Sequence, residues 1–306
     1  MTNAKSYAVN LFTISKKTAE DWLEDDPFRQ SAVVAYYAVF SIPALLVIVI
    51  ALAGLAFGQE AVQGEISTQV EAALGAETAE SVEDIIATAS KEKTSIIATI
   101  IGFVTLILGS TGVFVQLQQC LNQIWDVKVV AKKKLLKTIK TRLFSFGLVL
   151  SIAFLMLVSL LLTTGLEAFS GLIKHMLPDF MLYVFQFLNF AISFGVITVL
   201  FAVMFKVLPD AKIKLKDVWF GAIVTTLLFI LGKFGLGIYF AKADPASAYG
   251  AAGSVVLIML WVSYSCMILF FGAEFAKQHA LFYGRKIEPT NESKIIDTEA
   301  EREQEK

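Results

Sequence analysis

The sequence predicts an all-α fold: a polytopic membrane protein of six transmembrane helices, with both termini cytoplasmic and an amphipathic helical hairpin on the outer side. Three observations lead there. Residues 31–57 run without a charge, and at about 1.5 Å rise per residue they exceed the roughly 30 Å of a bilayer's hydrocarbon core. Comparable stretches follow, so a single buried core helix does not account for it. Apolar residues make up 56% of 306 positions, charged residues only 17%, and the mean hydropathy is +0.67; soluble domains hold roughly 45–50% and 25%. Finally, the charges are sorted by position. The N-terminal 30 residues, 126–142, 206–217 and 277–306 together hold 21 of the 26 lysines and arginines. Six spans place these four segments on one side, which the positive-inside rule assigns to the cytoplasm.

Each element has its own justification. In the first 30 residues Val9, Phe12, Ala19, Trp22 and Leu23 recur at helical spacing between Lys16, Lys17, Glu20 and Asp21, the pattern of a helix lying on the membrane surface. Asp25-Asp26-Pro27 ends it. These residues are polar and acidic-rich, and the apolar run after them is too long for a cleaved signal, so span 1 (31–57) is expected as a retained anchor. Between 58 and 93, Val62, Ile66, Val70 and Leu74 step by four, and Val82, Ile85, Ile86 and Ala89 share a face. This predicts two short amphipathic helices with a turn near Gly75. Seven acids there face only Lys91 and Lys93, which suits an outer cap and not a cationic membrane-binding helix. Span 2 covers 94–115 and extends helically to 125; Gly109, Ser110, Thr111 and Gly112 mark either a break or a close helix crossing. Spans 3 to 6 follow at 143–166, 180–205, 218–241 and 250–276. The 31–276 region is thus the membrane domain, and 277–306 reads as a charged, disordered or frayed tail.

Four stretches carry a resemblance. They are 35–43 (AYYAVFSIP), 111–125 (TGVFVQLQQCLNQIW), 208–221 (LPDAKIKLKDVWFG) continuing to 237–239 (GIY), and Tyr249-Gly250 through Trp261 to Gly272-Ala273-Glu274. In this order, over about residues 20–280, the chain resembles the YihY/BrkB family of bacterial inner-membrane proteins, formerly mislabelled ribonuclease BN. The resemblance implies a six-helix protein of the bacterial inner membrane, with links to envelope integrity and proposals of lipid or solute transport. It carries over no settled activity.

The candidate binding residues come from polar groups placed in apolar context. Lys233 lies inside span 5; an ionisable residue there faces a cavity, pairs, or snorkels outward. Gln186 and Asn189 on span 4 fall at similar depth. Glu274 ends span 6 near the cytoplasmic face and is expected to meet the basic loops or Lys277. Gln116, Gln119 and Gln123 fall on one side of span 2 with Asn122 adjacent, and either line an inner vestibule or join helices by hydrogen bonds. Tyr36, Ser41 and Pro43 form either a kinked cavity wall or a packing kink. Trp125 reads as an interface anchor, and Cys120 and Cys266 as packing residues.

Enzyme chemistry finds little support, and a membrane-bound hydrolase ranks third among the readings. His175 and His279 fall on opposite sides of the membrane, and Asp126, Asp210 and Glu274 are scattered in sequence. No nucleotide, metal or nucleophile motif stands in its required context, so no cofactor is expected. A nearly neutral net charge of −1 gives no nucleic-acid partner. The expected function is a transporter-like protein with membrane lipids as partners, acting on a lipid or amphiphilic anion. The alternative is a non-transporting envelope scaffold that docks a periplasmic protein through the acidic hairpin.

Overall fold

The computed structural model describes residues 2–91, 112–129, 179–243, 249, 252–290 and 293–295. Span 3, most of span 2 with the 109–111 stretch, and the basic loop from 130 lie outside the described residues. The described chain is almost wholly helical: α1 (Thr2–Glu24), α2 (Pro27–Phe57), α3 (Gln59–Leu74), α4 (Ala76–Lys91), α5 (112–124), α6 (Asp179–Val207), α7 (Leu215–Ala243) and α8 (Gly253–Phe282). Four short strands form two antiparallel pairs. β1 (Val127–Val129) pairs with β4 (Ser293–Ile295), and β2 (Ala211–Lys212) with β3 (Glu288–Pro289).

Local chemistry sets the boundaries. Asp26 takes a left-handed conformation (φ 52°) and Pro27 follows it at the start of α2, where its missing N–H costs nothing. The turns into α3 and α4 need φ values of 85° and 90°, supplied by Gly58 and Gly75. Pro209 stands just beyond the end of α6 and prevents its continuation. The two-helix hairpin thus forms where the sequence predicts it. Its apolar faces close on α2 in a small core of Ile50, Val62, Val82 and Ile86.

Three described helices are long and apolar enough to cross a membrane: Phe187–Val207, Leu215–Phe240 and Gly253–Phe282. Many of their apolar side chains are not spent on a protein core. Along α7, Ile223, Leu227, Leu231, Phe234 and Ile238 are all exposed and recur at three- and four-residue intervals, the stripe of a lipid-facing helix.

The main core sits instead at one end of the helices. It joins Leu117, Leu121, Ile124 and Trp125 of α5 and its following turn to Phe205, Leu208, Val218, Phe270 and Ala273. α7 and α8 cross there through small residues: a Cβ on Gly221 would lie 2.7 Å from that of Ala276, and one on Gly272 would collide with Thr225. Higher up, Gly232 admits the Tyr264 ring. Contacts that rise along α7 fall along α8, so the two run antiparallel.

Three sequence expectations change at this end. The N-terminal helix α1 packs against α8, burying Ile14 and Thr18 and setting Trp22 against Phe271 at 5.9 Å. α8 does not stop at 276: it continues to Phe282 with residues 272–280 buried, because its charges find partners within the fold. Among the described residues after it, Glu288–Pro289 and Ser293–Ile295 pair as β3 and β4, while 296–306 of the expected frayed tail lie outside the described residues. Trp125 is 1% exposed, a core residue and not an interface anchor.

Candidate functional site: a buried polar assembly at the end of α8

Glu274, Lys277 and Gln278 are spaced i, i+3, i+4 and so share one face of α8. Two elements meet that face. Lys277 Nζ lies 3.0 Å from Asp126 Oδ2, in the turn after α5, and 3.6 Å from Glu274 Oε2. The Gln278 amide donates to Glu274 Oε1 (2.7 Å) and to Asp21 Oδ2 on α1 (2.6 Å). Asp21 also accepts from Lys17 at 2.6 Å, and this contact holds Lys17 above its ordinary pKa. Glu274 is fully buried, and its Oε2 accepts no hydrogen bond. Such a group inside an apolar helix is costly to keep ionised.

A second cluster adjoins it. Asp217, in the first turn of α7 and 1% exposed, receives Arg285 and pairs with His279 Nδ1 at 2.7 Å. The His279 ring stacks on Phe220 with centroids 4.4 Å apart. A third fastens the 208–214 loop. Asn122 donates to Asp210 Oδ2 (2.9 Å) and its side-chain oxygen accepts from the Asp210 backbone N–H (2.7 Å), while Gln118 donates to the same carboxylate (3.2 Å). The Thr290 N–H bonds the Asp210 carbonyl at 3.0 Å.

The sequence-predicted residues fall in separate places. Glu274 meets Lys277 as expected. Asn122 holds Asp210. Gln116 reaches Cys120 Sγ at 3.7 Å, Gln119 is exposed, and Gln123 Nε2 is buried without an acceptor. Tyr36 is exposed and packs edge-on to Phe40 at 5.0 Å. Ser41 is buried, donates to the Tyr37 carbonyl at 2.8 Å, and faces Gly112 of α5. α2 continues helical through Pro43. Asn189 is half-buried, with its Oδ1 buried and unpartnered. Lys233 is exposed, and it is not joined to Glu274. Gly232 sits beside Tyr264, which is ten residues from Glu274, or about 15 Å along α8. Cys120 and Cys266 are buried and unbonded, as packing residues are.

Sequence reasoning passed over Asp21, Gln118, Gln278, Asp217 and Arg285. The one legible sign was the Glu274-Lys277-Gln278 spacing at the end of an apolar run. The carboxylates that looked scattered are partly gathered by the fold, since Asp126 and Glu274 share one ammonium.

The profile of the virulence factor BrkB family matches residues 18–294. Among curated proteins, a UPF0761 membrane protein of Tolumonas auensis is 27% identical over 179 residues, covering 58% of this chain and 56% of that protein. One from Yersinia pestis is 27% identical over 177 residues, with 58% and 57% covered. The putative ribonuclease-like protein YfkH of Bacillus subtilis is 26% identical over 148 residues, with 47% and 53% covered. The chain spans about half the length of these curated relatives. No solved structure matches it. A match over nearly the whole chain, together with the long apolar helices, identifies the chain as a member of the virulence factor BrkB family of membrane proteins.

Proposed function

We propose that the protein is a six-span component of the bacterial inner membrane, both termini cytoplasmic, which moves a lipid or another amphiphilic anion in envelope maintenance. In this reading it is a transporter-like protein and not an enzyme. One observation carries the choice of cargo. Lys233 stands exposed on α7 with Leu231, Phe234 and Ile238 exposed around it, about 15 Å of helix from Ala243. A cation on an apolar, lipid-facing flank is matched by an anionic headgroup whose tails lie along the same helix. Support for the six-span arrangement comes from the four basic segments. Asp21, Asp126, Asp210 and Arg285, one from each, are gathered at the Phe282 end of α8, as an even number of crossings between successive segments requires.

The test is translocation of a fluorescent anionic lipid by the full chain in proteoliposomes. Lys233→Met is expected to slow it by about tenfold, equivalent to roughly 1.4 kcal/mol, and Lys233→Arg to retain most of the rate. Equal rates in wild type and Lys233→Met, at equal folded yield, would remove Lys233 from the mechanism. The scaffold reading draws on a different observation: Glu60, Glu71, Glu80, Glu83 and Asp84 are exposed on α3 and α4. Photo-crosslinkers at Glu71 and Glu83 should then capture one reproducible periplasmic protein, and intact function after deletion of the hairpin would count against it.

A further inference from the structure

The lipid-facing stripe of α7 does not end in apolar residues. Toward the start of the helix, Ile223, Leu227, Leu231, Phe234 and Ile238 are continued by Phe220 and, one turn further, by Lys216. All are exposed, and helical spacing keeps them within about 60° of Lys216 around the axis. Trp219 is exposed beside Phe220. An apolar stripe that passes through aromatic rings to a cation has the order of a bilayer read outward, from hydrocarbon through the interface to the headgroups. Lys216 lies seventeen residues from Lys233, or about 25 Å along α7, so the two cations stand at separate levels.

The rings at the Lys216 level are held in place from below. Phe220 stacks on the His279 imidazole, 4.4 Å between centroids and 28° between planes, and Asp217 holds His279 Nδ1 at 2.7 Å. Tyr283 lies 4.9 Å from the same imidazole, and the Arg285 guanidinium lies 5.6 Å from the Tyr283 ring while it pairs with Asp217. These contacts bring the chain after α8 against the start of α7, so that exposed Lys286 joins Lys216 at one rim. The rim is cationic. Residues 206–217 and 283–290 hold six basic side chains and three acids. Asp217 is buried with His279 and Arg285, and Asp210 is engaged by Asn122 and Gln118. Five lysines are exposed against one exposed acid, Glu288, which stands opposite Lys212 in the β2–β3 register. The segment 130–142, outside the described residues, contains six basic residues and no acid, so it can only add charge of the same sign. A basic loop alone fixes orientation; a fixed aromatic platform beside it gives it a ligand.

We propose that this rim is a binding site for an anionic phospholipid of the surrounding bilayer. Lys216, Lys286 and Arg285 receive its phosphate, and its glycerol and upper chains pack on Trp219, Phe220 and Tyr283. The excess of cations selects an anionic headgroup over a zwitterionic one. The aromatic platform, continuous with the lipid-facing stripe, selects a lipid over a soluble phosphate. Such a site serves a transporter and a scaffold alike, so it stands whichever of the two the protein is.

The experiment is site-specific photo-crosslinking of the full chain in vesicles of equal phosphatidylcholine and phosphatidylglycerol. p-Benzoylphenylalanine replaces Trp219 or, as a control at the opposite end of α8, exposed Val255, and mass spectrometry counts the two lipid adducts. No transport activity is required. At position 219, phosphatidylglycerol adducts are expected to exceed phosphatidylcholine adducts by about fivefold or more, the preference that one basic residue gives near an anionic surface. Lys216→Met combined with Lys286→Met should bring the ratio down to that at position 255, and the two Lys→Arg changes should keep it. Both lysines are exposed; should the double variant still fail to fold, the single Met variants, each expected to lower the ratio, carry the test. Equal ratios at 219 and 255, or a ratio unmoved by the Met variants, would overturn the proposal. Loss of the enrichment on adding inorganic phosphate at constant ionic strength would overturn it in favour of a soluble phosphate. Crosslinks between two copies of the chain in place of lipid adducts would overturn it in favour of a protein interface.

Discussion

Glycine positions show how unevenly single residues hold this fold. Gly221 and Gly272 stand where α7 and α8 touch, and the Thr225 hydroxyl that a Gly272 Cβ would strike is itself donating to the Gly221 carbonyl at 2.7 Å. Thr225 therefore cannot turn aside without losing that bond. Gly272→Ala is expected to cost about 1–3 kcal/mol, as overpacking of a tight core does. Gly235 has open space around it, so Gly235→Ala should be neutral or stabilise the helix by up to about 1 kcal/mol. Thermal unfolding of the purified variants in detergent measures both, and equal midpoints would refute the close crossing. The sequence shows that these segments are rich in small residues. It does not show which of them meets a neighbour, because contact depends on a partner many residues away: Gly232 faces Tyr264, while Gly235 and Gly237 meet nothing among the described residues. The same limit hid Gln118. The spacing of Gln116, Gln119 and Gln123 draws the eye to one helix face, yet the carboxylate that selects between faces is Asp210, in the loop after α6.

At the scale of elements, the two helices and the turn of the α3 and α4 hairpin were legible because their signals are local. Apolar residues at every fourth position define each face, and Gly75 supplies the positive φ that two antiparallel helices need at their turn. Among the described residues, four buried side chains, Ile50, Val62, Val82 and Ile86, form a core separate from the main one. Ile86→Ala should therefore loosen the hairpin alone, by about 2 kcal/mol, the low end for such truncations. Hydrogen exchange in α4 would accelerate by roughly 30-fold while α7 and α8 stay unchanged. Equal acceleration in all three would mean that the hairpin and the helices unfold as one unit. Beyond the expected pairing of Glu274 with Lys277, the end of α8 was illegible for the opposite reason. Lys277, Gln278 and His279 look like the start of a solvated tail, and their burial rests on Asp21, Asp126 and Asp217, which sequence distance conceals.

At the scale of the whole molecule, the placement of charge and the packing point the same way by independent routes. The distribution of lysine and arginine leads to the expectation that four segments share one side of a membrane. The fold brings residues of those segments together: Asp21 to Gln278, Asp126 to Lys277, Asp210 to Thr290, and Arg285 to Asp217. The hairpin's exposed acids lie toward the other end. If the basic end is cytoplasmic, a membrane-impermeant maleimide added to intact cells should label a cysteine at Glu83 and spare cysteines at Lys16, Lys128 and Lys286, all of which are exposed or half-buried. The background is clean once Cys120 and Cys266, both buried, are replaced by alanine. Permeabilised cells should label all four. Labelling of Lys286→Cys and protection of Glu83→Cys in intact cells would invert the orientation while keeping the architecture. Labelling of Lys16→Cys without Lys286→Cys would do more damage, because it would place α1 and the end of α8 on opposite sides and break the contact between Asp21 and Gln278 on which the buried assembly depends.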